Sequence, residues 1–127
     1  MKRLALALAV AVVATAVFVV GAAGAVKTAK STVTIGSGNG SEFKGKVTSP
    51  QKACRANRKV TLFKKPYSYE DGETEAVGTD KTDGSGNWTI QGAFVAGLYY
   101  ARVANALVHV NGEPIRCNFD LTLTMRY

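Results

Sequence analysis

Three kinds of residue in this chain have side chains suited to chemistry: one histidine, two cysteines and a group of oxygen-bearing side chains at a glycine-rich turn. A nucleophilic triad needs a base, and His109 is the only histidine present. It lies out of phase with Val108 and Val110, so we expect it to face solvent. Its available partners are serines and aspartates scattered over turns. We therefore predict that His109 is not catalytic and that the protein is not an enzyme.

The cysteines Cys54 and Cys117 have 62 residues between them, which is not the C-x-x-C spacing of a redox pair. The N-terminal segment described below indicates export, and an exported chain meets an oxidising environment. Two cysteines allow only one pairing. The pattern therefore predicts a structural disulfide between Cys54 and Cys117. On the chain-entropy model, a loop of this length gives a stabilisation of roughly 4 kcal/mol.

Oxygen ligands for calcium are concentrated at Asp80, Asp83, Ser85 and Asn87. The same residue types are selected by tight β-turns, and their spacing does not match an EF-hand loop. We favour the turn and leave calcium open. One histidine and a disulfide do not supply the usual zinc ligand sets, so we predict no metal site and no cofactor.

The N-terminus has the pattern of an export signal. Met1-Lys2-Arg3 is a short positive region, Leu4 to Val20 is almost wholly apolar, and Ala23 and Ala25 have the small side chains that signal peptidase accepts. Residues 1–25 are therefore predicted to be a signal helix that is cleaved before Val26. The alternative is an uncleaved membrane anchor, because Leu4–Val26 exceeds the about 20 residues that span a bilayer.

Cleavage would leave 102 residues with 14 basic and 9 acidic side chains, a net charge of +5. That length suits one domain with one core. The charge density is lower than in a dedicated nucleic-acid binder, and we predict no nucleic-acid partner. Residues 26–40 are polar and end in a Gly/Ser-rich run, which predicts a flexible linker with at most a short edge strand at 32–35. The folded domain is predicted to span residues 41–127.

The predicted domain has a hydrophobic period of two throughout. The clearest run is 115–126, where apolar residues from Ile115 to Met125 occupy every odd position and polar residues every even one. This alternation predicts one long strand with an inward face that includes Cys117, Phe119 and Leu121. Six shorter alternating runs lie around residues 43–48, 59–62, 76–79, 88–90, 99–103 and 108–110.

Seven short strands separated by turn signals predict an all-β fold, a seven-stranded antiparallel Greek-key sandwich of Ig-like or prealbumin-like type. An open barrel is the alternative. Trp88 begins one of these strands, and we expect it to be the largest inward side chain, packed near Tyr99 and Leu121.

Four segments resemble a known module. Thr82–Trp88 joins a Thr-Asp strand end to a glycine-rich turn and an aromatic, and Gly97–Val103 is a G-x-Y-x-A-x-V strand. Gly45–Val47 and Val60–Leu62 are similar to its first two strands. The ordered set resembles prealbumin-like (transthyretin-like) sandwiches, namely the carboxypeptidase regulatory-like and collagen-binding B-type domains, and small exported single-domain proteins of high-GC Gram-positive bacteria. The resemblance implies a fold for residues 41–127, but it does not imply a function, because this architecture has many.

The charges suggest one candidate binding surface. Eight basic and no acidic residues lie between positions 44 and 65. If the strands at 43–48 and 59–65 pair, their outward side chains share one face, followed by a loop with two tyrosines. The candidate residues are Lys44, Lys46, Lys59, Phe63, Lys65, Tyr67 and Tyr69. For the lysines we favour protection of a sheet edge against aggregation, and a binding patch for a polyanion is the alternative.

Together these patterns predict a secreted, non-catalytic β-sandwich module with a binding or structural role at the cell surface or outside the cell. The sequence does not identify the partner, and a polyanionic cell-wall polymer or another surface protein is a candidate. The membrane would be involved only through the N-terminal segment, if that segment is retained. The alternative function is a small secreted hydrolase or ligand-modifying enzyme.

Overall fold

A computed structural model describes residues 26–66 and 74–127 of the chain. The predicted signal peptide, residues 1–25, and the candidate tyrosines Tyr67 and Tyr69 lie outside the described residues. The described part is all-β, apart from a short 3-10 turn at Lys52–Cys54. Its strands are β1 (Lys27–Ala29), β2 (Thr32–Gly38), β3 (Glu42–Thr48), β4 (Lys59–Lys65), β5 (Glu75–Lys81), β6 (Asn87–Gln91), β7 (Leu98–Val103), β8 (Ala106–Val110), β9 (Glu113–Cys117), β10 (Asp120–Leu121) and β11 (Met125–Arg126).

Two antiparallel sheets enclose the main core. One has the strand order β2-β3-β6, and the other has the order β10-β7-β4-β5, with β11 also paired to β7. Alternate residues of each sheet point into the space between them, where Phe43 and Val47 of the first sheet meet Leu62, Tyr99 and others of the second. This arrangement confirms the all-β prediction and is sandwich-like. The seven-strand Greek-key arrangement is not confirmed, since the described residues form eleven strands in three sheets.

The third sheet has the order β1-β9-β8, and β1 runs parallel to β9. It covers a small apolar cluster formed by Cys54, Ile115 and Cys117, with half-buried side chains of β1 and β8 around it. The disulfide between Cys54 and Cys117 lies in this cluster, with both cysteines fully buried. The predicted disulfide is therefore confirmed, and it ties the loop before β4 to the third sheet.

The prediction of a flexible linker at 26–40 is wrong for most of that segment, because β1 and β2 occupy it. Val33 of β2 is 3% exposed within the core, and its amide donates to the Asp120 carboxylate at 2.9 Å. The Gly/Ser-rich end of β2 pairs with β3 through a register shift between Ile35 and Ser37. Small polar residues indicate flexibility only where no neighbouring strand satisfies their backbone groups, and here β3 does so.

The prediction of one long strand over 115–126 is also wrong. The chain forms β9 in the third sheet and then returns as β10 and β11 along β7. Ile115 and Cys117 are buried as expected, but Phe119 is 51% and Leu121 50% exposed. The alternation continues across 118–119 although the chain changes sheets there, and a period of two carries no information about such a change.

Candidate functional site

The predicted basic surface does not exist as one face. Lys44 and Lys46 lie on β3, which pairs with β2 and β6, whereas Lys59, Phe63 and Lys65 lie on β4, which pairs with β5 and β7. The two groups project from different sheets of the sandwich. The assumption that these strands are neighbours was wrong. β3 and β4 lie in different sheets, and their inward apolar side chains meet from opposite sides of one core.

The outward side of β4 is instead completed by its true neighbours. Inward Val60 and Leu62 place Lys59, Phe63 and Lys65 outward, and the register of β7 sets Tyr100 beside Phe63. We define the outer basic face as the outward cations and aromatic residues of this sheet together with Phe119 at its margin: Lys59, Phe63, Lys65, Lys81, Tyr100, Arg102, Arg126 and Phe119.

Aromatic rings lie between the cations of this face. Phe63 and Tyr100 are stacked, with their ring centroids 5.1 Å apart and their planes at 15°. The Lys65 ammonium lies 5.7 Å from the centroid of the Tyr100 ring, and the Arg102 guanidinium lies 5.7 Å from that of Phe119. Such contacts hold flexible cationic side chains against a flat apolar surface, where they remain accessible to a ligand.

The outer basic face has an unbalanced charge. Lys59 and Lys81 are direct cross-strand partners and both are exposed, an arrangement of like charges that is unfavourable in a sheet. No aspartate or glutamate occupies an outward position of the described strands of this sheet. The two ion pairs in the described part of the chain, Lys27–Glu113 and Lys44–Glu42, lie elsewhere.

Sequence reasoning found Lys59, Phe63 and Lys65 but missed Lys81, Tyr100, Arg102, Arg126 and Phe119. A signal for two of them was present: Tyr100 and Arg102 occupy the polar phase of the 99–103 run, whose buried residues are Tyr99, Ala101 and Val103. No local signal could identify Lys81 or Phe119, because the first depends on the pairing of β5 with β4 and the second on the return of the chain after β9.

The oxygen-rich turn forms a closed local network. The Asp83 carboxylate accepts hydrogen bonds from the amides of Ser85 and Asn87, each at 2.9 Å, and from the Asn87 side chain. These bonds, that from the Asn87 amide above all, lower the pKa of Asp83. The Asp80 carboxylate accepts from the Thr89 amide at 2.8 Å. Both carboxylates therefore form hydrogen bonds within the turn and the adjoining strands, which agrees with the interpretation of these residues as a tight β-turn.

Other candidate chemistry is dispersed. His109 is exposed on β8, opposite Pro114 of β9. Across residues 26–66 and 74–127, no three His, Cys, Asp or Glu side chains are grouped so as to hold a metal ion. The same residues contain no helix long and apolar enough to cross a membrane.

One buried cation was not anticipated. Arg58 is 1% exposed, and burial lowers the pKa of its guanidinium. Its Nη1 donates to the Ser31 hydroxyl and the Cys54 carbonyl, both at 2.8 Å, and its Nη2 donates to the carbonyls of Ala104 (2.6 Å) and Asn118 (3.0 Å). Four chain segments therefore meet at one side chain. Among eight basic residues in one stretch of sequence, nothing distinguished the buried one.

No known protein-family model matches this chain, and no curated protein sequence matches it. The resemblance to prealbumin-like domains therefore stays a prediction from four short segments.

Proposed function

We propose that the protein is a secreted, non-catalytic module that binds a polyanionic cell-wall polymer through the outer basic face. The observation that supports this proposal most directly is the five outward cations Lys59, Lys65, Lys81, Arg102 and Arg126, on the sheet that carries the stacked rings of Phe63 and Tyr100. No carboxylate of the described strands shares this side of the sheet.

The dimensions of the face favour a polymer over a small anion. Six residue steps separate Lys59 from Lys65 along β4, which corresponds to roughly 20 Å at about 3.3 Å per residue. That distance exceeds the Debye length of about 8 Å at physiological salt, so a single small anion cannot neutralise both ends. A chain of sugars with repeated anionic groups would meet several cations, and its sugar rings would meet the aromatic surface between them.

Export fits such a partner. A buried disulfide is typical of extracellular proteins. Cleavage of the predicted signal before Val26 would place residues 26–127 outside the cell, and the intact mass of the secreted form should then match that segment. Recovery of the full-length chain in the membrane fraction would instead indicate display on an anchor.

The test compares the retention of three forms of the secreted protein on isolated cell walls over a range of salt concentrations. The first form is the wild type, the second is Lys59→Gln/Arg102→Gln, and the third is the control Lys44→Gln/Lys52→Gln. Both variants lose two positive charges, but only Lys59→Gln/Arg102→Gln loses them from the outer basic face. We expect wild type and control to bind alike and to elute with rising salt, and we expect the Lys59/Arg102 variant to bind at least tenfold more weakly.

Defined probes identify the chemistry that is recognised. Polyphosphate and an acidic polysaccharide should compete with cell walls, whereas neutral dextran should not. Equal loss of binding in both double variants would attribute retention to net charge and would contradict the proposed face. Preferential competition by a single-stranded oligonucleotide would assign the face to nucleic acid instead. Retention that ignores salt would contradict the proposal outright.

A further inference from the structure

A second basic feature lies on the opposite side of the sandwich from the outer basic face. A cleft of about 380 Å³ opens at the end of the β2-β3-β6 sheet, between β2, β3, the loop after β3 and the turn before β6. Three cationic side chains line it, Lys30, Lys46 and Arg55, and no carboxylate does. Hydroxyl groups of Thr32, Thr48 and Ser85 line it as well. We call it the Arg55 cleft.

The arginine in this cleft is held in position. Its Nε donates to the Ser49 carbonyl at 2.9 Å. Its own carbonyl accepts from the Thr82 hydroxyl (2.6 Å), and its amide donates to the Lys52 carbonyl (3.1 Å). Arg55 also follows Cys54, which the disulfide fixes in place. The loop therefore presents a guanidinium whose two terminal nitrogens have no partner among the described residues.

This geometry suits a tetrahedral dianion. The two terminal nitrogens of a guanidinium form a planar fork that matches two oxygens of a phosphate. With Nε already bonded, that fork is the remaining donor edge of Arg55. Lys30 and Lys46 add two positive charges, and threonine and serine hydroxyls can donate to the remaining oxygens. Hydrogen bonds and the adjacent disulfide already hold this loop, so binding incurs little cost for immobilising it.

We propose that the Arg55 cleft binds a phosphate monoester, such as the phosphate of a phosphorylated sugar. A singly charged carboxylate would leave two of the three cations uncompensated, and it offers two oxygens where a phosphate offers three that are free of its ester bond. The site lies on a different sheet from the outer basic face and does not depend on the polymer-binding function.

The experiment titrates the ¹⁵N-labelled secreted protein with inorganic phosphate and with glucose 6-phosphate at low ionic strength, using chloride at matched ionic strength as a blank. We expect saturable amide shifts at Thr48 and Ser85, and weaker binding of glucuronate. Arg55→Gln should reduce the affinity for glucose 6-phosphate about tenfold or more, the loss expected for charge-assisted hydrogen bonds. Arg55→Lys should recover only part of it, because an ammonium cannot form the fork.

Two further variants keep the test decisive if Arg55→Gln disturbs the loop. Lys30→Gln/Lys46→Gln should also weaken binding, whereas Lys44→Gln, two residues away on the same side of β3, should not. Absence of saturable shifts in the wild type, equal binding of glucuronate, or equal weakening by Lys44→Gln would each overturn the proposal. Because Lys59→Gln/Arg102→Gln leaves this cleft intact, loss of polymer binding and loss of phosphate binding are separate outcomes.

Discussion

The guanidinium of Arg58 donates to the carbonyl of Cys54, 2.8 Å away, so a buried charge and a disulfide stabilise the same short loop. The same guanidinium bonds the carbonyl of Asn118, which follows the other half-cystine, Cys117. One cation therefore connects the backbone on both sides of the covalent bridge. The described residues place no carboxylate against it, and its charge is compensated by carbonyl dipoles and a hydroxyl.

Replacement of Arg58 should destabilise the fold strongly. Arg58→Ala leaves one hydroxyl and three carbonyls without their donor, and we expect the free energy of unfolding to fall by roughly 3 kcal/mol or more. Arg58→Lys should recover little, because one ammonium cannot reach acceptors on four segments. Urea unfolding measures the effect, with the exposed neighbour variant Lys59→Ala as control, expected within about 0.5 kcal/mol of wild type. Equal stability of the Arg58 and Lys59 variants would contradict the role assigned to Arg58.

Removal of the disulfide should lower the melting temperature. The bridge spans 63 positions, for which the chain-entropy model gives roughly 4 kcal/mol. In a domain of this size, about 1 kcal/mol shifts Tm by several degrees. Melting curves of wild type and Cys54→Ser/Cys117→Ser measure the difference, and reduction of the wild type should reproduce it. Two thiols alkylated in the native, non-reduced protein would show that the bridge does not form.

Gly45 should not tolerate a side chain. It pairs with Trp88 across β3 and β6, and a Cβ there would overlap the Thr34 carbonyl oxygen and lie 2.8 Å from the indole. Gly45→Ala should therefore destabilise the protein by about 1–3 kcal/mol through overpacking. Gly84→Ala is the matched control, because a Cβ at Gly84 meets nothing within 4 Å. A control that is as destabilised as Gly45→Ala would show a general cost of losing glycine and no specific clash.

Trp88 should report directly on the core. It is 1% exposed, which confirms its expected inward position, although Leu121 does not share its core cluster. Trp88→Ala should lower the free energy of unfolding by roughly 3–5 kcal/mol. As the chain's one tryptophan, it should emit at short wavelength in the native protein and shift to the red on unfolding. Native emission typical of a hydrated indole would be incompatible with this packing.

The Asp83 turn should make stability depend on pH. Hydrogen bonds from Asn87 and Ser85 favour the ionised carboxylate and depress its pKa in the folded protein. The resulting stabilisation is present above the unfolded aspartate pKa of about 3.9 and is lost as pH falls through the lower folded value. Between pH 7 and pH 3, wild type should therefore lose more stability than Asp83→Asn, as measured by urea unfolding at each pH. Glu75→Gln, at an exposed strand end, should follow the wild type; parallel curves for all three proteins would refute the assignment.

Local pattern determined much of the fold. A period of two in each run was enough to predict an all-β chain, and the inward phases of 99–103 and 88–90 agree with the buried residues Tyr99, Ala101, Trp88 and Ile90. The disulfide could be predicted because two cysteines allow one connectivity. These features depend on the side-chain direction within one strand or on counting, so the sequence alone contains them.

The tertiary structure decided which strands are neighbours, and with that the composition of every surface. Alternation states which side of a strand a residue occupies, but β3 and β4 show the same pattern whether they pair or face each other across a core. For that reason the sequence pattern predicts that Lys44 and Lys59 share a face, and it does not connect Tyr100, Arg102 or Lys81 with Phe63. The burial of Arg58 could not be predicted for the same reason. Its acceptors belong to Ser31, Cys54, Ala104 and Asn118, which lie far apart in the chain and come together only in the completed fold.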